Sequence, residues 1–378
     1  MKENILKMLI RLLSKGSCAL RGRRELPDPD TVRRVVVLQM SGIGDLLLIT
    51  PALRALHRTY PLASIDIITY NLKNAEFLFR FPYIRDGCDF PLFDIELKRM
   101  WSPSFWRMLG KPIRFMKSEP TDIYVSFHHT WLPQWYLFEL WIAARSGARF
   151  KVGINPDYIR DSGVFDRLVP ESLLGNRHYC PFFLDIVNLL GAAGNDYSTE
   201  FPLEPHEIEE ARTRIHTVMS DHKRVACIHA GASFTAQRWP IDRFCKLVKM
   251  LEADGCGIVL IGTSEERELS KHIAEGLSDG DCLDATGNTN LFQMAALIDA
   301  SDLFIGNDSG PMHIAISRKR PTIGLIGPGK PRYHQYKPNE AVIIKNSILP
   351  DTKENKEIDF PWTITVEDVY EKARGLLS

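Results

Sequence analysis

The sequence predicts an α/β protein built from two doubly wound domains with parallel sheets. At 378 residues, the chain is longer than one hydrophobic core usually serves. Apolar runs of strand length alternate with longer segments of helical spacing, an order that favours parallel sheets covered by helices. The alternation stops in a region rich in Pro, Gly and Asn and then resumes, so we expect one sheet on either side of it.

Composition excludes several classes of protein. Hydrophobic residues make up 44% of the chain and charged residues 25%, as in ordinary globular proteins. The net charge is zero, so no overall field attracts nucleic acid, and no nucleic-acid partner is predicted. No apolar run approaches the ~20 residues that span a bilayer. The seven cysteines are scattered without a C-x-x-C pair, which argues against disulfides and structural zinc and for a reducing compartment.

The N-terminal segment, residues 1–24, carries seven basic side chains and one acidic side chain. Its apolar residues fall at helical spacing, but basic residues interrupt them, unlike the centre of a secretory signal. One interpretation is a basic amphipathic helix on an anionic membrane surface. The other is a terminal helix that packs on the protein or is disordered. With the proline-rich linker at 26–30, this segment is predicted as an extension, residues 1–30.

The first domain is predicted over residues 31–204. A buried strand, Val35–Met40, leads into the glycine-containing loop at 41–45 and then a helix, Leu46–Tyr60. A second strand, Ser64–Tyr70, completes a βαβ unit. Two further strands are predicted at Ile123–Phe127 and Phe150–Ile154. Residues 155–205 show no strong period, and we place the domain boundary near its end.

The second domain is predicted over residues 205–350, and the remainder, 351–378, as a tail that ends in a helix, Thr365–Leu377. Strands and helices alternate in this domain, as in a doubly wound sheet. The predicted strands are Val225–His229, Gly257–Gly262, Leu303–Ile305 and Thr322–Ile326, and the predicted helices are Pro240–Ala253, Glu265–Gly276, Leu291–Ala300 and Gly310–Ser317.

The first candidate site is the loop Ser41-Gly42-Ile43-Gly44-Asp45, which follows the first strand. It contains G-x-G, but Leu47 stands where a dinucleotide fingerprint has its third glycine, so the match is weak. Asp45 would lie at a helix start, at the carboxyl edge of the sheet. It is either a functional carboxylate or a capping residue that serves the helix dipole.

The second candidate is the loop from His229 to Pro240. Gly231, Ser233 and Thr235 offer backbone N–H and hydroxyl donors, and Arg238 offers a guanidinium fork for phosphate oxygens. The alternative is an ordinary loop that ends in a packing pair, Trp239-Pro240.

The third candidate, Asn307–Ala315, also joins a strand to a helix, where free N–H groups and the helix dipole favour an anion. Gly310 allows close approach to the backbone, and Pro311 suits the first helical position. These features predict a diphosphate site. The alternative is a helix that Asp308 or Ser309 merely caps.

Other patterns are less specific. Leu97–Lys117 carries cations and aromatic residues without an acid, typical of a surface for an anionic amphiphile or membrane, although nucleic-acid sites and solvated helix faces share this composition. Asp279-Gly280-Asp281 is interpreted as a turn. His128-His129 has no acidic or Cys partner at ligand spacing, so no metal is predicted. The predicted acceptor or membrane contacts are Lys98, Arg99, Trp101, Arg107, Lys111 and Arg114.

The three loops together resemble glycosyltransferase family 9, the ADP-heptose:lipopolysaccharide heptosyltransferases, over roughly residues 33–335. The resemblance lies in the segments Leu38–Pro61, Gly231–Pro240, Gly262–Arg267, Thr286–Ile298 and Asn307–Ala315. It implies GT-B architecture, in which two Rossmann-like domains face each other across a cleft. It also implies that the first domain binds the acceptor and the second the nucleotide-sugar, and that inverting transfer proceeds without a metal or cofactor.

The resemblance also implies roles for residues. Asp45 matches the general base, and Ser41, Gly42 and Gly44 form a phosphate or acceptor loop. The family usually has a lysine where this chain has Gln237, so either Arg238 takes over the charge or the donor is held differently. The implied donor-binding residues are Ser233, Thr235, Gln237, Arg238, Thr263, Glu265, Asp308, Ser309, Gly310 and His313.

The resulting expectation is heptose transfer from ADP-heptose to an anionic lipid-linked saccharide, the lipopolysaccharide core or a related glycolipid. The enzyme would be cytoplasmic and peripheral on the inner face of the cytoplasmic membrane. Two alternatives stay open. One is a nucleotide-sugar epimerase of the same fold, and the other is a non-catalytic protein that binds sugar nucleotides.

Overall fold

The computed structural model describes residues 24–91, 102–129, 133–157, 163–175, 177–327, 341–345 and 362–378. The chain forms two compact units that divide between Thr199 and Glu200. Residues 1–23 of the predicted extension lie outside the described residues, as do Lys98, Arg99 and Trp101. Within the described ranges, no helix is both long enough and apolar enough to cross a bilayer.

The first unit is a six-stranded parallel sheet with strand order β3-β2-β1-β4-β5-β6. Its strands are β1 (Arg34–Gln39), β2 (Ser64–Thr69), β3 (Ile84–Asp89), β4 (Ile123–Ser126), β5 (Phe150–Asn155) and β6 (Arg167–Pro170). Its helices are α1 (Ile43–Leu48), α2 (Thr50–Thr59), α3 (Leu72–Ala75), α4 (Pro103–Lys117), α5 (Pro133–Arg145) and α6 (Tyr179–Asn188), with 3₁₀ turns at Glu76–Arg80 and Glu171–Leu173.

The second unit repeats this topology, with strand order β12-β11-β10-β7-β8-β9. Its strands are β7 (Arg224–His229), β8 (Cys256–Leu260), β9 (Cys282–Asp284), β10 (Leu303–Asn307), β11 (Thr322–Ile326) and β12 (Val342–Lys345). Its helices are α7 (Pro205–Val218), α8 (Ile241–Ala253), α9 (Arg267–Ala274), α10 (Leu291–Ala300), α11 (Gly310–Ser317) and α12 (Val366–Leu377), with 3₁₀ turns at Thr235–Gln237 and Ser264–Glu266.

Both sheets start at their centre and wind outward in two directions, so the predicted pair of doubly wound α/β sheets is confirmed. The direction of winding reverses between β1 and β4 in the first unit and between β7 and β10 in the second. At such a point the loops at the carboxyl ends of the strands diverge and leave a crevice for ligands. The predicted loops at 41–45 and 229–240 and the predicted segment Asn307–Ala315 begin at the ends of β1, β7 and β10, and they therefore lie at these two positions.

The helix predicted from Leu46 to Tyr60 is two helices, because Pro51 interrupts the hydrogen-bond ladder. Proline has no N–H, so it cannot donate to the carbonyl of Leu47. The Thr50 hydroxyl donates to that carbonyl instead, at 2.7 Å. The first helix, α1, also begins earlier than expected, at Ile43, which places Asp45 inside its first turn.

The region at 155–205 contains structure that periodicity did not predict. The helix α6 is buried on nearly every side, including Phe182, Phe183 and Ile186. A helix without a polar face shows no amphipathic period. The tail helix α12 packs into the core of the second unit, where Val369 and Ala373 join Phe244 and Leu247. The predicted domain boundaries stay a prediction.

A carboxyl group lies in the core of the first unit. Glu139 of α5 is 1% exposed and faces the sheet beside Ser126. Burial raises the pKa of the Glu139 carboxyl to about 8, against partial opposition from the Ser126 hydroxyl. The folded protein therefore holds this group as a neutral acid near pH 7.

Replacing Glu139 with Gln should change the pH dependence of stability. An unfolded Glu loses its proton near pH 4.5, whereas folded Glu139 keeps it to about pH 8. Wild-type stability should therefore fall as pH rises through this window. The Gln variant does not titrate, so its advantage should grow between pH 5 and pH 8 by about 3–4 kcal/mol.

Chemical denaturation across this pH range measures the effect, with the exposed Glu210→Gln as the matched control. A stability difference between Glu139→Gln and wild type that stays constant from pH 5 to pH 8 would contradict the assignment.

Candidate functional site

The candidate site of the second unit lies where β7 and β10 end side by side. The two strands pair in parallel, with Gly306 opposite His229. Their loops consequently leave the sheet from adjacent positions at its carboxyl edge. The strand β8 lies on the other side of β7 in the sheet. The turn that begins at Thr263 follows β8.

Asn307, the last residue of β10, ties these loops together. Its side chain is fully buried. The amide nitrogen donates to the carbonyls of Ala230, at 2.8 Å, and Gly231, at 3.3 Å. The amide oxygen accepts from the backbone N–H of Trp239, at 3.0 Å. One side chain thus fixes the start and the end of the loop that follows β7.

His229, the last residue of β7, connects two further loops. Its Nδ1 lies 3.0 Å from the hydroxyl of Ser309, and its Nε2 lies 3.4 Å from a carboxylate oxygen of Glu266. The Ser309 hydroxyl in turn donates to the carbonyl of Asn307, at 3.1 Å. The histidine therefore bridges the start of α11 and the turn after β8.

Glu266 is fixed among these loops by steric fit and by hydrogen bonds. A Cβ at Gly231 would lie 1.6 Å from its Oε1, so only glycine leaves room for the carboxylate. The backbone N–H of Thr263 donates to Glu266 Oε2 at 2.8 Å. Burial alone would raise the pKa of Glu266, but the hydrogen bond and charge of His229, with help from Thr263, lower it to about 2. The site thus contains a fixed carboxylate.

The start of α11 is not capped by Ser309 in the usual way. Ser309 occupies the N-cap position, but its side chain makes no capping hydrogen bond. Its hydroxyl donates to the carbonyl of Asn307 and lies 3.0 Å from His229 Nδ1. Pro311 lies in the first turn, as predicted from its missing N–H. His313 is buried, with Nε2 4.0 Å from a carboxylate oxygen of Asp308.

The loop between Ala232 and Trp239 combines exposed donors with a buried anchor. Ser233 and Thr235 are exposed, and Gln237 and Arg238 are half-buried. The Arg238 guanidinium donates to the carbonyl of Ala232 through Nε, at 3.2 Å, and Nη2, at 3.0 Å. Part of its donor capacity therefore holds the loop. The anchor is Trp239, which is 1% exposed and donates to the carbonyl of Ile364.

The predicted residues Thr263 and Glu265 are exposed and lie beside this network. Glu266, His229 and Asn307 lie in the segments singled out from the sequence, but no role was predicted for them, although they hold the site together. Glycine-containing loops indicated where a ligand could approach, but the partners of these buried polar side chains are 37 to 80 residues away in the chain. The sequence offered one indication of this network: His229 and Asn307 are polar residues at the ends of two otherwise apolar strands.

The candidate site of the first unit begins at Gly42, the N-cap of α1. The carbonyl of Gly42 accepts from Leu46 N at 3.1 Å. Asp45 is half-buried in the first turn, so it is not the capping residue. Ser41 and Gly44 are half-buried beside it. Asp45 therefore lies at the reversal point between β1 and β4, and its carboxylate benefits from the positive end of the helix dipole.

Two histidines follow β4, on the other side of this reversal point. Burial, with a smaller effect of His129, lowers the pKa of His128 to about 3. His129 Nε2 lies 2.9 Å from Glu171, and Nδ1 lies 3.0 Å from the hydroxyl of Tyr179. Glu171 is a distant acidic partner that sequence spacing did not reveal. Across the described ranges, no three His, Cys, Asp or Glu side chains converge as metal ligands would.

The three basic candidates of the first unit within the described residues share one helix. Arg107, Lys111 and Arg114 are exposed on α4. Lys111 Nζ lies 3.9 Å from a carboxylate oxygen of Asp89. The buried residues of α4 lie on the opposite side of the helix. This arrangement agrees with the interpretation of Leu97–Lys117 as a solvated helix face over a core.

Comparison with known proteins identifies a similar family and similar chains. The profile of glycosyltransferase family 9 (heptosyltransferase) matches residues 180–360. The lipooligosaccharide heptosyltransferase 2 of Haemophilus influenzae is 25% identical over 367 residues, which cover 91% of this chain and 99% of the relative.

Solved structures of similar fold include the glycosyltransferase family 9 protein of Veillonella parvula, with a TM-score of 0.75 and 22% identity, covering 94% of this chain and 99% of that one. The E. coli ADP-heptose lps heptosyltransferase II has a TM-score of 0.64 and 21% identity, covering 91% and 98%.

Replacing Asn307 with Ala should destabilise the second unit. The substitution leaves the carbonyl of Ala230 and the N–H of Trp239 buried without their partner, which should cost about 2–4 kcal/mol. Urea denaturation measures the loss. In the control, Gly375→Ala, the new Cβ meets open space within α12 and should leave stability equal or slightly higher. A loss below about 0.5 kcal/mol for Asn307→Ala would show that the amide does not hold the loop.

Proposed function

The chain belongs to glycosyltransferase family 9, and we propose on that basis that it transfers heptose from ADP-heptose to a lipopolysaccharide core or related glycolipid. The observation that supports this proposal best is the edge of the second unit, where Asn307 and His229 hold three loops beside the start of α11. Such an edge suits a nucleoside diphosphate, because backbone N–H groups and hydroxyls can meet its oxygens.

The donor side of the reaction requires stabilisation of a leaving diphosphate. As the bond between the anomeric carbon and the phosphate oxygen breaks, negative charge develops on that oxygen. The helix dipole of α11 and the exposed donors of Ser233 and Thr235 can stabilise this charge. Gln237 is neutral, and Arg238 is partly engaged with Ala232, so we propose that the site relies mainly on hydrogen bonds rather than on a loop cation. We also propose that no metal takes part.

The acceptor side requires a base. In the proposed step, the acceptor hydroxyl attacks the anomeric carbon and passes its proton to Asp45, while ADP leaves from the opposite face. A single displacement of this kind inverts the anomeric configuration. Asp45 is suited to this role because it is half-buried in the first turn of α1, where the dipole favours its ionised form. General-base catalysis of this type contributes typically ~10²–10⁴-fold.

The names of relatives support the substrate classes. One relative is named a lipooligosaccharide heptosyltransferase, and one solved structure is named an ADP-heptose lps heptosyltransferase. A lipid-linked acceptor would place the enzyme in the cytoplasm, peripherally on the inner face of the cytoplasmic membrane, as we propose.

Gln237 motivates a second candidate function, a non-catalytic protein that binds sugar nucleotides. Such a protein would bind ADP-heptose and release no ADP with any acceptor. A nucleotide-sugar epimerase would instead convert the donor with no acceptor present. Product analysis with and without acceptor therefore separates the three functions.

Replacing Asp45 with Asn should slow transfer by about 10²–10⁴-fold, because the amide cannot take the acceptor proton. Binding of ADP should stay within about twofold of wild type, because the proposed donor site belongs to the other unit. Initial rates of ADP release and calorimetric ADP affinity measure the two quantities. Asp279→Asn, in an exposed turn, is the matched control. Transfer near the wild-type rate in folded Asp45→Asn would remove Asp45 as the base.

The nucleotide preference provides a separate test of the donor. A ligand that binds only the folded state raises the melting temperature, so ADP at about 100 times its dissociation constant should give a rise of about 5 °C or more. UDP, GDP and CMP at the same concentration should give smaller rises. A larger rise with UDP or GDP would argue against ADP-heptose as the donor.

A further inference from the structure

The helix α4 has one face fixed against the core of the first unit. Ser102 caps its start by accepting from Phe105 N, and Phe105, Leu109 and Met116 are buried. Buried positions on one side of a helix leave the opposite side to solvent. The orientation of the outer face is therefore set by packing.

The outer face of α4 carries only cationic charge. Arg107, Lys111 and Arg114 follow one another at i, i+4 and i+7, and so form one stripe, with Lys117 one turn beyond it. No acidic residue occurs between Ser102 and Ser118. Trp106 lies at the edge of the stripe with 56% of its surface exposed, a large aromatic side chain to leave in water.

The acids near this face within the described part of the chain do not neutralise it. Asp89 lies 3.9 Å from Lys111, with both side chains about half exposed, and such a pair contributes little. Glu119, just past the helix, pairs with Arg85 rather than with an α4 cation. The Arg114 guanidinium donates to the carbonyl of Arg107 at 2.8 Å, which holds it along the helix surface.

We propose that this face, defined by Trp106, Arg107, Lys111, Arg114 and Lys117, docks the protein on an anionic phospholipid bilayer. The inference rests on the proposed function in one respect: a lipid-linked acceptor would give the protein a reason to dock on a bilayer. Cations on the outer side of an amphipathic helix meet anionic headgroups, and an amphipathic Trp ring favours the headgroup level.

A bilayer suits this face better than nucleic acid does. Binding to single strands uses several aromatic rings that stack on successive bases, and this face exposes one large aromatic ring, Trp106, among the described residues of α4. The chain as a whole has no net positive charge to attract a polyanion.

The test is sedimentation of the full-length protein with vesicles of phosphatidylcholine, with and without phosphatidylglycerol. Each Lys or Arg near an anionic surface contributes roughly fivefold to partitioning. Arg107→Gln combined with Lys117→Gln should therefore lower partitioning onto anionic vesicles by about 25-fold. The matched control removes the same charge from exposed positions of the second unit, Lys246→Gln with Lys271→Gln, and should change partitioning by less than about twofold.

A second measurement locates the contact. Lipids brominated near the headgroup should quench tryptophan fluorescence of the wild type on anionic vesicles, and Trp106→Phe should lose most of this quenching while it remains bound. The proposal is overturned if the double variant partitions like the wild type, if neutral vesicles bind equally well, or if quenching persists in Trp106→Phe. Because none of these readouts requires turnover, they are independent of whether the protein transfers heptose.

Discussion

The candidate donor site depends on the side chain of Asn307. A primary amide can donate and accept at once, and Asn307 uses both capacities on backbone groups of one loop. Because it is the last residue of β10, the strand that pairs with β7, it connects two loops that the topology only brings near each other. A hydrophobic side chain of similar size would leave a buried N–H and a buried carbonyl without partners, so the position calls for an amide.

The consequences of this connection extend outward from the sheet. With the loop after β7 fixed, Gly231 leaves a space that the Glu266 carboxylate fills. Glu266 then contacts His229, which contacts the Ser309 hydroxyl at the start of α11. The exposed donors of Ser233 and Thr235 belong to a loop anchored at both ends, by Asn307 and by buried Trp239. A preorganised site of this kind loses little conformational freedom when a ligand binds.

Much of the fold was predictable, because the central strands of both sheets are buried on both faces and appear as apolar runs. The helices α10 and α11 and the strand β11 begin and end where the sequence predicted. The edge strands β3, β6, β9 and β12 were all missed. Charged residues interrupt β3 and β9, so neither shows an apolar run, and β6 and β12 are only four residues long. The helix break at Ile49, just before Thr50 and Pro51, could have been predicted, because proline lacks the N–H that would continue the helix.

The loops of the candidate site were predictable from glycine, hydroxyl and proline residues, but their supporting network was not. Glu265 and Glu266 are adjacent in the sequence, and only the fold shows that Glu266 is the half-buried one that contacts His229, whereas Glu265 is exposed. The His129–Glu171 pair likewise spans 42 residues. Contacts between distant polar residues leave no periodic trace in a sequence, whereas turns and helix starts do.

We propose that this chain catalyses a single inverting displacement, with the donor bound at the site that Asn307 holds together. The most direct measurement is the anomeric configuration of the product, determined by NMR after reaction of ADP-heptose of known anomer with a lipid-linked core acceptor. We expect one new glycosidic bond of opposite configuration for each ADP released. Retention of configuration, or conversion of the donor without acceptor, would contradict this account.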